Sequence, residues 1–264
     1  MSDRIESDTT LAHLHLIKTD DGSMTLKDQL LDESYRSECG AAIESFHVYL
    51  KNSGICDRLL RVHAAHEENL PLRILEYGFG TGLNYLLTAS MAETHGKCIQ
   101  YVGLEKLLLP ATVLEPLHLD QSALQCAEFI SLCAPLEIRK NWKSLLDWRG
   151  SLAESPLPGV YSYPSEFVDL EIVVGQAQFL PTAKFAPFDA IYFDPFSPKS
   201  SPDLWNEAVF KQAFHALKPG GTLTTYCVAG AVRRALTNAN FQVHRLPGPP
   251  AGKRQVLLAV RPED

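Results

Sequence analysis

The pattern of apolar and polar positions predicts that strands and helices alternate from residue 72 onward. A short apolar run over 72–77 leads into a glycine-rich turn, and apolar residues then recur at helical spacing over 83–93. Six later apolar runs predict strands at 99–105, 168–174, 189–193, 222–228, 241–246 and 254–260. With helices predicted over 202–217 and 230–239, this order is typical of an α/β fold with a doubly wound, mostly parallel, seven-stranded sheet that ends in an antiparallel hairpin.

Residues 1–70 predict a small extension ahead of the larger unit, which we assign to 71–264. Alternating apolar residues around the turn at 20–22 predict a hairpin over 13–31, and helical spacing predicts a helix over 34–50. Residues 1–12 are expected to be loosely attached. The stretch 106–167 is long for one crossover, and its prolines predict short helices with a surface loop over 150–164.

Three glycines at alternate positions, Gly78, Gly80 and Gly82, end the first predicted strand. Glycine permits positive φ angles and a close approach of the backbone to a ligand. The N–H groups at the start of the next helix, where Asn84 lies, would face such a ligand. The stretch therefore predicts a nucleotide-like cofactor at the carboxyl ends of the strands.

The spacing of acidic residues and glycines decides which cofactor is expected. The dinucleotide pattern G-x-G-x-x-G fails in both registers, because Leu83 and Tyr85 occupy the sixth positions, so NAD is disfavoured. Glu76 before the glycines and Glu105 at the end of the next strand form instead the pattern of class I methyltransferases. We therefore predict S-adenosylmethionine as the cofactor, with Glu105 accepting hydrogen bonds from both ribose hydroxyls.

Asp194 is the predicted catalytic residue, and we also expect it to contact the cofactor. It follows the fourth predicted strand directly, and Pro195 and Pro198 restrict the backbone beside it. Its carboxylate should therefore have a defined direction at the edge where such sheets bind ligands. We expect it to orient an acceptor amine, while Phe196 shapes the pocket. The alternative role for Asp194 is the capping of a turn.

Three further residues are assigned to the predicted site. Lys106 adjoins Glu105, and Gln176 lies in the loop after the third strand, which in this fold commonly meets the adenine. Tyr35 opens the segment Tyr35-Arg36-Ser37-Glu38 near the start of the predicted helix of the extension. This segment could face cofactor or substrate, although a solvated helix start would look the same.

Composition and charge limit the class of protein and the kind of partner. The chain has 264 residues, and 45% of them are hydrophobic. The sequence shows neither a run of roughly 18 apolar residues nor an apolar signal core, so we expect a cytoplasmic protein with no membrane association. His63 and His66 share one helical face but lack the H-E-x-x-H pattern, so no metal is expected. The net charge of −7 does not attract a polyanion, so a nucleic-acid partner would need a local basic patch. Candidate members of that patch are Lys199, Arg233, Arg234, Lys253 and Arg254.

Several stretches together resemble one family, the methyltransferase component of bacterial tRNA 5-methylaminomethyl-2-thiouridine biosynthesis, called MnmD alone and MnmC when fused. The segments that carry the resemblance lie between residues 72 and 259 and read EYGFGTGLNYL, VGLEK, YFDPFSPKSSPDLW, LKPGGTLTTY, AGAVRRAL and GKRQVLLA. The segment ESFHVYL, at 44–50, also resembles the N-terminal region of the family. The KPGG segment is common to many methyltransferases, whereas GFGTGLN together with DPFSPKSSPDLW and AGAVRRAL is much more specific. The resemblance implies a Rossmann-like class I methyltransferase.

The resemblance also implies the reaction, which is methyl transfer to the primary amine of 5-aminomethyl-2-thiouridine at the tRNA wobble position. A separate FAD oxidase would then act upstream. The family often has Asp-Gly-Phe where Asp194, Pro195 and Phe196 stand, and often an acidic residue at Gln176. Two alternatives remain open: methylation of another amine, because Asp-Pro-Phe resembles the loop of enzymes that methylate amino groups of DNA bases, and a non-catalytic RNA-binding module.

Overall fold

A computed structural model describes residues 11–61, 70–179, 184–250 and 252–263. Within these ranges the chain forms a three-stranded N-terminal sheet and an eight-stranded main sheet. The strands of the first sheet are β1 (Leu14–Lys18), β2 (Met24–Asp28) and β3 (Glu33–Ser34). Those of the main sheet are β4 (Leu72–Tyr77), β5 (Ile99–Glu105), β6 (Gly159–Pro164), β7 (Val168–Val174), β8 (Phe188–Phe193), β9 (Leu217–Thr225), β10 (Gln242–Pro247) and β11 (Gln255–Val260).

The main sheet has the strand order β10-β11-β9-β8-β4-β5-β7-β6. The pairs β4 with β5, β4 with β8, β5 with β7 and β8 with β9 are parallel, whereas β10, β11 and β6 are joined antiparallel. The doubly wound arrangement and the closing hairpin predicted from the sequence are confirmed. The strand order places β4 and β8 side by side in the centre, where β4 ends in the glycine turn and β8 ends at Asp194.

The predicted count of seven strands was wrong, because the described residues contain an eighth strand in the main sheet. Gly159–Pro164 pairs antiparallel with β7 at the sheet edge, where a surface loop was expected. The Trp148 indole N–H donates to the Ser162 carbonyl at 3.2 Å and ties this edge strand to the helix before it. Prolines precede this run and also end it. They led to the prediction of a loop, because proline is typical both of loops and of edge strands.

The α-helices fill the connections between strands. They are α1 (Ala41–Ser45), α2 (Ile55–Leu60), α3 (Leu83–Thr94), α4 (Ala111–Leu114), α5 (Leu119–Leu124), α6 (Ala127–Ile130), α7 (Pro135–Ser151), α8 (Glu207–Ala216) and α9 (Gly230–Asn238). A π-helix (Phe46–Lys51) continues α1, and two short 3-10 turns cover Glu115–Leu117 and Ala177–Phe179.

Two predicted helices differ from the structure at their ends. The helix α8 begins after Asn206, whose side-chain oxygen accepts the Val209 N–H at 3.1 Å, so residues 202–206 form turns instead. The run Lys218-Pro219-Gly220-Gly221 belongs to β9 and is accommodated by an irregularity in its pairing with β8. In the N-terminal extension, the helix predicted over 34–50 begins only at Ala41.

The sheet is buried on both faces by two apolar clusters. Neighbouring β4 residues point to opposite sides, so that Ile74 joins one cluster and Leu75 the other. The first cluster contains residues from α3, α7 and the N-terminal extension, including Leu26 and Phe46, both fully buried. The second contains residues of α8 and α9. The extension therefore shares the hydrophobic core of the sheet.

We predict that Gly78→Ala destabilises the protein more than Gly54→Ala. Both glycines have φ of +81°, so each alanine is strained in the left-handed region by about 1–2 kcal/mol. A Cβ on Gly78 would lie 2.8 Å from the Asp194 carbonyl oxygen, whereas nothing lies within 4 Å at Gly54. The crowded site should add about 1–3 kcal/mol to the loss of unfolding free energy, measured by urea denaturation. Equal losses in the two variants would contradict the close approach.

Candidate active site

The ends of β4 and β8 bring the glycine turn and Asp194 together. Tyr77 and Phe193 are paired residues of these parallel strands, and the Asp194 N–H donates to the Tyr77 carbonyl at 2.9 Å. The absence of a side chain at Gly78 lets the Asp194 backbone pass beside the turn. The first glycine of the motif thus serves contact within the protein, and it fixes where the acidic residue stands.

Three protein donors hold the Asp194 carboxylate. Tyr49 donates its hydroxyl to Oδ1 at 2.5 Å, Asn84 donates its Nδ2 to Oδ2 at 3.0 Å, and the Arg36 guanidinium forms a hydrogen-bonded ion pair with Oδ2. A carboxylate offers about four acceptor positions, so roughly one remains, on Oδ1. Only 11% of the Asp194 side chain is exposed.

The donors are themselves largely buried or protonated, so each can donate to the carboxylate. The Arg36 side chain is itself only 6% exposed, so the ion pair is largely removed from solvent. Burial, and then the charge of Asp194, raise the pKa of Tyr49 far above its usual value, so the phenol remains protonated and donates. Arg36 and Tyr49 both come from the N-terminal extension, which therefore contributes directly to this site.

Glu76 lies beneath this arrangement, fully buried. Its Oε1 accepts the Asn84 amide at 2.7 Å and its Oε2 accepts the Tyr101 hydroxyl at 2.7 Å. Asn84 therefore bridges the two acidic residues, and Glu76 sets the orientation of the amide that reaches Asp194. Burial raises the pKa of Glu76 to about 8, with the nearby charge of Asp194 adding to the shift and Arg36 opposing it.

Glu105 closes the other side of the glycine turn. Its Oε2 accepts the Gly80 N–H at 2.8 Å and its Oε1 accepts the Leu107 N–H at 3.0 Å, which fixes the carboxylate beside the turn. Burial raises the pKa of Glu105, while these backbone N–H groups oppose the shift. The neighbouring Gly175 N–H donates to the Glu105 carbonyl at 2.8 Å, so the loop after β7 adjoins the same place.

Of the other predicted cofactor residues, Lys106 and Gln176 have exposed side chains. Lys106 extends to solvent directly after Glu105, and Gln176 follows Gly175 with its Oε1 accepting the Gln178 amide at 3.1 Å. Gly82, with φ of +82°, precedes the first residue of α3. The predicted cofactor residues therefore lie at the carboxyl ends of β4, β5, β7 and β8.

Tyr35 and Phe196 form an aromatic pair between the glycine turn and the Asp194 loop. Their ring centroids are 5.0 Å apart in an edge-to-face arrangement. A Cβ on Gly80 would lie 3.4 Å from the Tyr35 ring, so this ring covers the turn. Glu33, two residues earlier, accepts the Ser197 N–H at 2.9 Å and both the Ser197 and Ser200 hydroxyls. The extension is thus fastened to the loop that follows β8.

The five basic residues predicted to form a patch have different surroundings. Lys199, Arg234 and Arg254 are exposed, and Arg233 is half-buried in the first turn of α9. The Lys253 ammonium lies over the Tyr226 ring, 3.7 Å from its centroid. Four of the five are therefore available at the surface, and the fifth is engaged by an aromatic side chain.

Sequence reasoning missed Arg36 and Tyr49 as partners of Asp194. The segment from Tyr35 to Glu38 was considered for ligand contact, but its partner in the fold could not be read from spacing. Arg36 and Asp194 are 158 positions apart in the chain, and Tyr49 and Asp194 are 145 apart. The only available signal was the resemblance of ESFHVYL, which includes Tyr49, to the N-terminal region of the family.

Comparison with known proteins shows what the chain is similar to. Residues 150–262 match a family described as "S-adenosyl-L-methionine-dependent methyltransferase". The match covers fewer than half of the 264 residues, and over this part the chain is similar to that methyltransferase family. The tRNA 5-methylaminomethyl-2-thiouridine biosynthesis bifunctional protein MnmC of Ralstonia nicotianae is 32% identical over 236 residues, which cover 88% of this chain and 32% of that protein. The MnmC protein of Burkholderia mallei is 31% identical over 98% of this chain and 36% of that protein.

The chain also resembles solved structures. MNMC2 from Aquifex aeolicus matches with a TM-score of 0.67 at 24% identity, over 93% of this chain and 70% of that one. Spermidine synthase from Thermotoga maritima matches with a TM-score of 0.52 at 15% identity, over 95% of this chain and 70% of that one. At these identities the likeness shows the fold, which is that of Rossmann-like class I methyltransferases. The chain spans about a third of the length of the curated MnmC relatives.

The site fits S-adenosylmethionine, the cofactor of the family. Thr81 Oγ1 and Asn84 Oδ1 are buried beside the glycine turn and have no hydrogen-bond partner among the described residues. Such orphaned polar atoms are expected to meet a ligand, because leaving them unpaired costs free energy. The half-buried Glu105 carboxylate stands where a ribose can reach it.

Two further findings concern membranes and metals. Among residues 11–61, 70–179, 184–250 and 252–263, no helix is long and apolar enough to cross a membrane. The same ranges contain no group of three or more His, Cys, Asp or Glu side chains arranged to hold a metal ion. His63 and His66 lie outside the described residues.

We predict that Glu76 makes the protein less stable as pH rises from about 5 to 8. The pKa of Glu76 is raised from 4.5 to about 8 on folding, so over this interval the folded state binds one proton more than the unfolded state. The free energy of unfolding should therefore fall by up to about 1.4 kcal/mol per pH unit. Glu76→Gln removes this titration, so its stability relative to the native protein should rise with pH.

Urea denaturation of both proteins at several pH values measures this difference. Glu166→Gln, an exposed substitution in the turn before β7, serves as the control and should follow the native protein. A difference between Glu76→Gln and the native protein that does not change between pH 5 and 8 would contradict a raised pKa at Glu76.

Proposed function

We propose that this methyltransferase acts on the primary amine of 5-aminomethyl-2-thiouridine at the tRNA wobble position, giving 5-methylaminomethyl-2-thiouridine. The observation that carries the proposal is the Asp194 carboxylate, held by three donors beside the glycine turn with one acceptor position left. The similarity to MnmC proteins along 88–98% of the chain supports the choice of acceptor.

S-adenosylmethionine, when bound, supplies a methyl group on a positively charged sulfur. Glu105 would hold its ribose, the glycine turn from Gly78 to Gly82 would lie against it, and Gln176 would lie near the adenine. Glu76, Asn84 and Lys106 complete the proposed cofactor residues. Asn84 would contact the cofactor through its unpaired Oδ1. Glu76 would contribute indirectly, because it accepts the hydrogen bond that orients the Asn84 amide.

Asp194 would position the acceptor nitrogen. An amine N–H donates to the remaining position on Oδ1, which turns the nitrogen lone pair toward the methyl group. In-line displacement depends strongly on such alignment. Because Arg36, Tyr49 and Asn84 already use most of the carboxylate, Asp194 acts as an orienting acceptor rather than as a strong base.

Water would be excluded by the aromatic side chains around the site. Tyr35 covers the glycine turn and packs edge-to-face on Phe196, with ring centroids 5.0 Å apart. A dry pocket strengthens the hydrogen bond between Asp194 and the amine, because the local dielectric constant is low. Pro195 follows Asp194 and is buried, which restricts how far the carboxylate can move.

tRNA would be held by basic residues despite the net charge of −7. Lys199 follows the Asp194 loop, Arg233 and Arg234 lie in the first half of α9, and Arg254 precedes β11. Phosphate contacts of this kind make affinity fall steeply with salt concentration. The acceptor nucleoside would be supplied by a separate FAD oxidase acting upstream in the cytoplasm.

We predict that Asp194→Asn lowers the single-turnover rate of methyl transfer far more than it lowers stability. Asparagine keeps the size and much of the turn-capping ability but removes the charge that orients the amine, so a rate loss of about 100-fold or more is expected. The substrate is tRNA carrying 5-aminomethyl-2-thiouridine, and a thermal melt is recorded for each variant. Asp203→Asn, an exposed residue in the next turn, is the matched control.

Native-like turnover of the Asp194→Asn variant would rule out the orienting role. The same assay with tRNA lacking the aminomethyl group, and with duplex DNA, tests the acceptor. Methylation of DNA, or of tRNA regardless of the aminomethyl group, would contradict the proposed substrate. Cofactor binding without methylation of any of these acceptors would favour the non-catalytic alternative.

We predict that Glu105→Ala weakens binding of S-adenosylhomocysteine by about 1.5–3 kcal/mol, or roughly 10- to 150-fold, because hydrogen bonds to a charged acceptor are lost. Titration calorimetry measures the change without any methyl acceptor. Glu166→Ala, at the opposite ends of the strands, is the control and should bind as the native protein does. Unchanged affinity in Glu105→Ala would remove Glu105 from the cofactor site.

A further inference from the structure

The Lys253 ammonium occupies a site made of an aromatic ring and a carboxylate. Its Nζ lies 3.7 Å from the centroid of the Tyr226 ring and 3.7 Å from Glu44 Oε1. An ammonium over an aromatic face, with a carboxylate beside it, is the arrangement that proteins use to bind alkylammonium groups. Here a residue of the chain itself fills that arrangement.

The site adjoins the loop that carries Asp194. Tyr226 donates its hydroxyl to the Pro195 carbonyl at 2.9 Å, which ties the ring to the residue after Asp194. Glu44 lies on α1, between Arg36 and Tyr49 in the chain, and both of these bind Asp194. Burial raises the pKa of Glu44, and the charges of Lys253 and Asp194 act on it in opposite directions. The aromatic face, Glu44 and Asp194 therefore belong to one region.

Lys253 satisfies this site incompletely. Glu44 Oε1 is buried and has no hydrogen-bond partner among the described residues, because 3.7 Å is too long for a hydrogen bond. The Glu44 side chain is only 13% exposed, whereas that of Lys253 is 47% exposed. A buried carboxylate that lacks a full partner gains free energy when a better donor arrives. The lysine is thus held loosely enough to be replaced.

We propose that the Tyr226 face and Glu44 first receive the aminomethyl group of the acceptor in its ammonium form, and that Lys253 fills this site until the acceptor displaces it. The ammonium then releases one proton to bulk water before the neutral amine moves to Asp194. A lysine ends in a methylene carrying an ammonium, and so does the protonated aminomethyl group. The proposal rests on the proposed function for the identity of the acceptor. It adds a recognition site that would distinguish tRNA with the aminomethyl group from tRNA without it.

Binding of propylammonium tests the site without methyl transfer. Lys253→Met keeps the length of the side chain but removes the competing charge, so this variant should bind propylammonium at least tenfold more tightly than the native protein in a calorimetric or NMR titration. Arg254→Met, an exposed neighbour, is the matched control and should show no gain. Adding Glu44→Gln to Lys253→Met should abolish the gain. No gain in Lys253→Met would overturn the proposal.

A second measurement uses a variant in which Glu44 keeps the positive charge of Lys253 beside it. Tyr226→Leu removes the aromatic face and keeps Lys253, so it should raise KM for tRNA carrying the aminomethyl group, while Lys253→Met should lower it. If Lys253 instead contacts phosphate, Lys253→Met would raise KM. It would also weaken the binding of tRNA equally with and without the aminomethyl group. This result would overturn the proposal. A gain in propylammonium binding without methylation of any tRNA would sink the proposed function and leave the ammonium site standing.

Discussion

The structure depends on the need to satisfy one largely buried carboxylate, that of Asp194. An ionised group removed from water is costly unless it is paired and hydrogen-bonded. The partners come from separate parts of the chain: Arg36 and Tyr49 from the N-terminal extension, and Asn84 from the first helix after the glycine turn. The same contacts that stabilise the charge therefore dock the extension on the sheet, and a second link from Glu33 to the loop after Asp194 adds to it.

This arrangement changes how the glycine motif is understood. Gly78 allows the Asp194 backbone to pass at a distance that no Cβ would permit, whereas Gly80 presents its N–H to Glu105. Both glycines thus serve contacts within the protein, Gly78 by a close backbone approach and Gly80 by a hydrogen bond. Glu76, the acidic residue before the glycines, supports Asn84 from below, so it reaches the proposed ligands through another side chain.

Local patterns predicted the parts of this molecule that depend on local chemistry. The parallel strands, the glycine turn and the position of Asp194 at the end of β8 follow from apolar periodicity and from backbone restriction by Pro195. The edge strand Gly159–Pro164 was missed, because its pairing with β7 outweighs the loop signal of its prolines. The partners of Asp194 were missed for a different reason: no spacing rule connects residues that tertiary packing brings together from 110 to 158 positions apart.

The central claim is that the N-terminal extension holds Asp194 ready for the acceptor amine, and a double-mutant cycle between Tyr49 and Asp194 tests it most directly. The measured quantity is the single-turnover rate on tRNA carrying 5-aminomethyl-2-thiouridine for the native protein, Tyr49→Phe, Asp194→Asn and the double variant. We expect Tyr49→Phe to slow transfer markedly in the native background and hardly at all in the Asp194→Asn background, with a coupling free energy of about 1 kcal/mol or more. Effects that add to within about 0.3 kcal/mol would contradict the claim.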